Sequence, residues 1–545
     1  MDAISVSLVM LIAVMASSMI GRALPVPIPL PLVQIALGAL ISSVLDRGVE
    51  LDPELFFFLF LPPLLFLDGW RIPKEGLVRD RAMILQLALG LVIVTVVGLG
   101  YLIHLMIPSM PLAICFALAA IISPTDPVAV SAITQRLTLP RRIMHILEGE
   151  SLLNDASGLV AFRFAVAAAV TGTFSLTDAS LSFLWVSLGG LGIGAGITWL
   201  ITFGKGVFAR HYGEDGGSQI LISVLIPFAA YALAEHLGAS GILAAVAAGI
   251  TMSYTELSGR ALASTRMQRA AVWNTIQFTL NGIIFVLLGE QLPAIFDNAV
   301  RVVQSTGHRN PLWLIVYALA INLALAGLRF GWVWASLKIS NLWARWRGET
   351  PTLLNPRLIG AISLAGTRGA LTLAGVLTLP LALNDGTPLP ARDLAIFLAA
   401  MVIIISLLAS SFGLPRMIKG IDSPVDKEHH RQEDEANEAA RLAAIKSVEA
   451  TLHQLTRQHP EQDAQLYTEV AGRVMDSLQY PVAATANEVD AERVREQQAV
   501  ERQMRLVALG ASRDELFRLA RQRRISDEIV RELVRRIDLQ EARLL

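Results

Sequence analysis

PLAICFALAAIISPTDPVAVSAIT, residues 111–134, holds a contradiction: a run apolar enough for a membrane helix, interrupted by Ser123-Pro124-Thr125-Asp126-Pro127. Each proline lacks an N–H and pushes the residue before it out of helical geometry, so the helix must open here. Open backbone at bilayer depth survives only inside protein or beside a watery cavity. The half-helix before the break ends in a partial negative charge, and the one after it begins in a partial positive one. Asp126 is expected to face that positive end. The loosened carbonyls around Ser123 and Thr125 can ligate a hard cation.

A second run, 357–380, is interrupted in the same way by Gly366-Thr367-Arg368-Gly369. A membrane span takes about 20 mostly apolar residues, and on that criterion the chain holds thirteen segments, the two broken ones being the fifth and the twelfth. Seven is an odd offset, so in an up-down chain the broken segments run in opposite directions. Two six-helix halves of inverted topology follow, with the seventh segment as connector. Paired interruptions in corresponding positions of two such halves point to a transporter's midplane site.

Charge placement agrees with this count. Nineteen Lys and Arg residues fall in one set of alternate connections, against Arg47, Arg301, Arg309 and Arg392 in the other. The positive-inside rule then predicts an N-terminus outside and a C-terminus in the cytoplasm. Of 545 residues, 54% are hydrophobic and only 17% charged, where a soluble chain carries about a quarter. The charge is also lopsided, with 43 charged residues among the last 125. A membrane domain, 1–420, and a water-exposed helical domain, 421–545, therefore share the chain. In the latter, Leu442, Ile445, Val448, Leu452 and Leu455 recur at helical spacing. It shows no glycine-rich phosphate loop, and no cofactor is expected. The net charge of −1 gives no reason to expect a nucleic-acid partner. One cysteine, Cys115, excludes an intrachain disulfide. The first apolar run follows Met1-Asp2-Ala3 without a basic region or a small-residue cleavage site, and reads as a retained helix.

An ionisable group at bilayer depth costs about 2.5–3.5 kcal/mol even on the mildest scale. Asp126, Glu150, Asp155, Arg163, Arg329 and Arg368 all fall within spans, with Asp68 at a span end. In Glu150-Ser151-Leu152-Leu153-Asn154-Asp155, Ser151 and Asp155 share one helix face, as do Glu150 and Asn154. These are oxygen donors suited to Na⁺ or Li⁺, without sulfur or imidazole for a transition metal. A carboxylate withdrawn from water can hold a proton or a Na⁺ but not both, which is the requirement for exchange. Arg368 is the expected counter-charge for Glu150 or for a half-helix carbonyl end. Arg163 and Arg329 are read as satisfying local groups, without a transport role.

PTDPVAVSAI (124–133), GESLLNDASGLV (149–160) and AGTRGALTLAGVL (365–377) resemble the signatures of the monovalent cation:proton antiporter family, which includes bacterial Na⁺/H⁺ antiporters and the animal Na⁺/H⁺ exchangers. LPPLLFLDGWRIP (61–73) and SGILAAVAAGI (240–250) match as well, so the resemblance covers most of residues 1–420. It implies an all-α antiporter fold with crossed broken helices and a homodimer. It also implies Asp155 as ion and proton carrier, with Asn154, Asp126, Thr125 and Ser151 completing a Na⁺ site, and Glu150 with Arg368 as a structural ion pair. Asn-Asp in place of Asp-Asp implies electroneutral one-for-one exchange. Several relatives carry a carboxylate four residues after the second proline. Here that place is Leu67, and Asp68 beside it is an accessory candidate.

The leading reading is a secondary antiporter exchanging cytoplasmic Na⁺, Li⁺ or K⁺ for external protons in pH homeostasis; K⁺/H⁺ exchange is the near alternative. An intramembrane aspartyl protease could also use two membrane aspartates, but the chain has no Gly-x-Gly-Asp motif. A cation-sensing receptor with the helical tail as output is the third reading.

Overall fold

A computed structural model describes residues 3–24, 28–45, 53–72, 80–126, 141–171, 176–212, 215–256, 263–305, 312–346, 356–383, 387–418 and scattered positions from 445 onward. The chain divides into two compact units, Met1–Ile421 and Asp422–Leu545. In the second unit the longest described stretch is a helical one at 445–450.

Among the described residues of the first unit the regular structure is helical, apart from an isolated antiparallel bridge between Ala382 and Pro388. Its described helices are α1 (Ala3–Ala23), α2 (Leu30–Leu45), α3 (Pro53–Arg71), α4 (Arg81–Met106), α5 (Leu112–Ile122), α6 (Arg141–Thr171) and α7 (Leu176–Tyr212). After these come α8 (Gly216–His236), α9 (Gly241–Glu256), α10 (Ala263–Ser305), α11 (Leu312–Trp346), α12 (Pro356–Leu364), α13 (Ala370–Leu377) and α14 (Arg392–Ile418). Among the described residues, α1, α4, α6, α7, α8, α10, α11 and α14 are long and apolar enough to cross a membrane. With lipid as solvent, apolar side chains need not all face inward. Trp185, Leu188, Trp199, Phe203 and Phe208 of α7 are exposed accordingly.

Both sequence interruptions end helices. α12 and α13 have nine and eight residues, about 13 and 12 Å of helix, each under half of the roughly 30 Å hydrocarbon core. α5 stops at Ile122, one residue before Ser123-Pro124. Its residues from Ala117 to Ile122 are fully buried, so this half-helix lies at the centre of the unit.

Two features set the neighbouring helices. The first is a π-helical turn, Gln86–Leu91, inside α4. Carbonyls in a π turn are displaced from the regular ladder and take outside donors. Trp332 Nε1 on α11 donates to Gln86 O at 3.0 Å, and Ser157 Oγ on α6 donates to Ala88 O at 2.6 Å. Ser157 is two residues from Asp155, so this contact helps hold α6 in register. The second is a pair of close backbone crossings. A Cβ on Gly69 of α3 would strike Val246 O of α9, and one on Gly249 of α9 would strike Phe66 O of α3. Gly38 and Gly289 do the same between α2 and α10. Small residues that let backbones meet are how membrane helices gain packing without a hydrophobic drive.

Replacing Gly249 by Leu forces rigid backbone apart and should cost about 1–3 kcal/mol or more. Gly204→Ala, with nothing within 4 Å, should stay within about 0.5 kcal/mol of the parent. Thermal unfolding of the purified protein in detergent measures both.

Candidate cation and proton site

The two interruptions are bonded to each other. Asp126 N donates to Thr367 O at 2.7 Å, and Thr367 Oγ1 donates to Asp126 O, also at 2.7 Å. The carbonyl ends around this crossing are served by arginines. Arg368 Nε donates to Ile122 O of α5 at 2.9 Å, and its Nη1 donates to Gly366 O just beyond α12. Arg392 donates to Leu379 O at 2.9 Å and to Leu377 O at 3.2 Å, at the end of α13. Cations at helix C-termini oppose the partial negative charge there.

The Asp126 carboxylate rests against Gly369, where a Cβ would collide with it. Gly369 directly precedes α13, so the positive helix end that Asp126 meets is that of α13. The half-helix expected after Pro127 lies outside the described residues.

α6 supplies the remaining polar groups. Asn154 Nδ2 donates to Thr125 Oγ1 at 3.0 Å, and Thr125 Oγ1 reaches Glu150 Oε1 at 3.4 Å. Glu150 is completely buried and forms a two-pronged pair with Arg329 of α11: Nη2 to Oε2 at 2.7 Å, and Nη1 to Oε1. Arg329 Nε also donates to Ile362 O of α12 at 3.0 Å. This corrects the Glu150–Arg368 ion pair expected from sequence. Two carbonyls occupy the Arg368 guanidinium, and the planar fork of Arg329 meets both carboxylate oxygens. Arg329 therefore does more than satisfy local carbonyls. It lies midway along α11 and is buried, as Arg368 also is, so depth marks it for a role without naming its partner.

A cleft brings together Thr125 and Asp126, at the first interruption, with Ser151 and Asp155 of α6. Across from them it is lined by Asp68 on α3 and by Gln277 and Asn281 on α10, with Thr372 of α13 completing the polar set. Asn154 and Glu150 are buried, and both are bonded to Thr125, which lines the cleft. Asp155 is within electrostatic reach of both Asp126 and Asp68. Three carboxylates around one cleft cannot all carry charge without a cation or a proton among them. Sequence reasoning missed Gln277, Asn281 and Thr372. The first two are polar residues four apart in an apolar span, a helical-face signal that was available.

Arg163, farther along α6, pairs with Glu235 of α8 at 3.1 Å, and both are partly exposed. Glu235 also accepts from Gly241 N at the start of α9.

Removing one partner of a buried pair strands the other's charge at about 3–5 kcal/mol. Arg329→Leu should therefore destabilise the protein severely. Adding Glu150→Leu to it should recover much of the loss. A thermal-stability double-mutant cycle reads the coupling, and strictly additive losses would contradict the pairing.

Residues 7–420 match the family model described as sodium/hydrogen exchanger, transmembrane. The chain is 40% identical over 541 residues to the uncharacterized Na(+)/H(+) exchanger YjcE of Escherichia coli, covering 99% of this chain and 98% of that one. It is 46% identical over 429 residues to the sodium, potassium, lithium and rubidium/H(+) antiporter of Bacillus subtilis, covering 76% of this chain and 61% of that one. The solved structure of the sodium proton antiporter MjNhaP1 from Methanocaldococcus jannaschii shares the fold with a TM-score of 0.59 at 16% identity, over 76% of this chain and 98% of that one. The chain thus belongs to the sodium/hydrogen exchanger family of monovalent cation:proton antiporters, and is a multi-span membrane transporter rather than an enzyme.

Proposed function

We propose that this chain exchanges cytoplasmic Na⁺, or Li⁺ or K⁺, for external protons, with cation and proton competing for Asp155. The observation that carries this reading is the cleft, where Asp155, Asp126, Ser151 and Thr125 converge at the crossing of the two interruptions. A dehydrating cation needs several hard oxygens, and these four side chains offer them from two chain segments. Asp155 borders the cleft on intact α6, and it is the group we assign to proton and cation exchange. Asp126 is a ligand whose charge is steadied by the start of α13. Asn154 is neutral and is engaged with Thr125. α6 therefore brings one carboxylate, Asp155, and with that group alone titrating in the cycle the exchange is one-for-one and electroneutral. The relative from Bacillus subtilis carries Na⁺, K⁺, Li⁺ and Rb⁺ in its name, which supports a monovalent cation without choosing among them.

The topology we attach to this reading has thirteen crossings in two inverted halves, a cytoplasmic C-terminus in the inner membrane, and a homodimer. The glycine crossings support the inversion. The seven-segment offset maps the α2–α10 contact onto the α9–α3 contact, and both use reciprocal glycines. The mutual bonds between Asp126 and Thr367 have the same character. Alternating access then moves the core built around the crossing, which draws on both halves, against α3 and α10, with Asp68 as an accessory carboxylate on the stationary side. The helical unit 421–545 is assigned a modulatory role.

Asp155→Asn in proteoliposomes should abolish cation-driven recovery of a pH-dye signal while leaving the protein folded. Undiminished exchange by that variant would remove Asp155 from the mechanism.

A further inference from the structure

Arg71 closes α3 three residues after Asp68, so the two share a helix face. Its Nη1 donates to Gln277 Oε1 at 2.7 Å, and its Nη2 donates to Asn274 Oδ1. A guanidinium has donors and no acceptor. It therefore settles how both amides are turned, with their oxygens toward Arg71. Asn274, Gln277 and Asn281 follow one another at i, i+3 and i+7 on α10. Gln277 and Asn281 line the cleft that holds Asp155. Arg71 thus takes one lone pair of the Gln277 oxygen and holds that oxygen toward itself, with the NH₂ turned away from the guanidinium.

We propose that Gln277 is a specificity-determining residue whose oxygen Arg71 withholds from the transported cation, so that α10 offers a donor where it could offer a ligand. The inference rests on the antiport reading above and adds a residue pair to it. A cation in the cleft then draws protein oxygens from Thr125, Asp126, Ser151 and Asp155, and fills the rest of its shell with water. Discrimination among monovalent ions sharpens as more fixed oxygens replace water. A withheld oxygen leaves ions of different radius on nearly equal footing, and Arg71 tunes selectivity without touching the ion. The competing account makes Arg71 a strut between α3 and α10, or a positive charge acting directly on the cleft.

Apparent KM values for Li⁺, Na⁺, K⁺ and Rb⁺, measured with the full chain in proteoliposomes at fixed pH and clamped potential, separate these accounts. Arg71→Met frees the Gln277 oxygen and should change the Na⁺/K⁺ ratio of apparent affinities about three- to tenfold, the range one hydrogen-bonding group supports. Arg71→Lys keeps a donor at the oxygen and should hold the parental ratio. Adding Gln277→Leu to Arg71→Met should bring the ratio back. A ratio unmoved by Arg71→Met overturns the inference, as does a shift that survives Gln277→Leu and so belongs to the charge of Arg71. Should Arg71→Met not reach the membrane, Arg71→Leu, which likewise offers no donor, carries the same expectations. Loss of all cation exchange in the parent protein would sink the antiport reading itself. Parental exchange with unmoved ratios sinks this inference alone.

Discussion

A helix that opens inside a bilayer leaves carbonyls with no water to turn to, and each one left bare costs as much as a buried polar group without a partner. In this protein arginines meet that demand. Arg368 serves the end of α5 and the carbonyl beyond α12, Arg329 serves Ile362 within α12, and Arg392 serves the end of α13. With the carbonyl ends neutralised, the main chains at Asp126 and Thr367 can bond to each other and hold the crossing. The placement of Asp126, Thr125 and the cleft depends on that crossing.

Glu150 follows from the same constraint. Arg329 brings a positive charge to a dry place, and Glu150 answers it from α6 with both oxygens. Glu150 in turn receives Thr125, which receives Asn154. A chain of bonds thus runs from a buried ion pair to Thr125 in the cleft wall and on to Asn154, the residue before Asp155. The paired charges of Glu150 and Arg329 are thus buried, while Asp68, Asp126 and Asp155 border the cleft.

Much of this was legible in the sequence, for physical reasons. Prolines 124 and 127 and glycines 366 and 369 mark places where the helical ladder breaks: α5 and α12 end before them, and α13 begins after Gly369. Helical spacing put Ser151 and Asp155 on one face, and both line the cleft. Long-range pairing was not legible. Glu150 and Arg329 are 179 residues apart, and nothing local distinguishes Arg329 from Arg368 as a partner, since both are lone arginines in apolar runs. The helix end that receives Asp126 was likewise hidden, because its own following segment and α13 are equally good positive ends on paper. The π turn in α4 has no sequence signature of its own, and with it went the anchoring of Ser157. Gln277 and Asn281 were visible as polar residues, but only the fold shows that α10 faces the cleft.

The central claim is that one carboxylate site holds either a proton or a cation. Calorimetric titration of Na⁺ into the purified protein, repeated in buffers of different ionisation enthalpy, counts the protons released as the cation binds. Near the pH where the site is half protonated, the account predicts a release that varies with pH and approaches one proton per Na⁺ as the starting pH is lowered, and no release in Asp155→Asn. Cation binding with no proton released at any pH would contradict it.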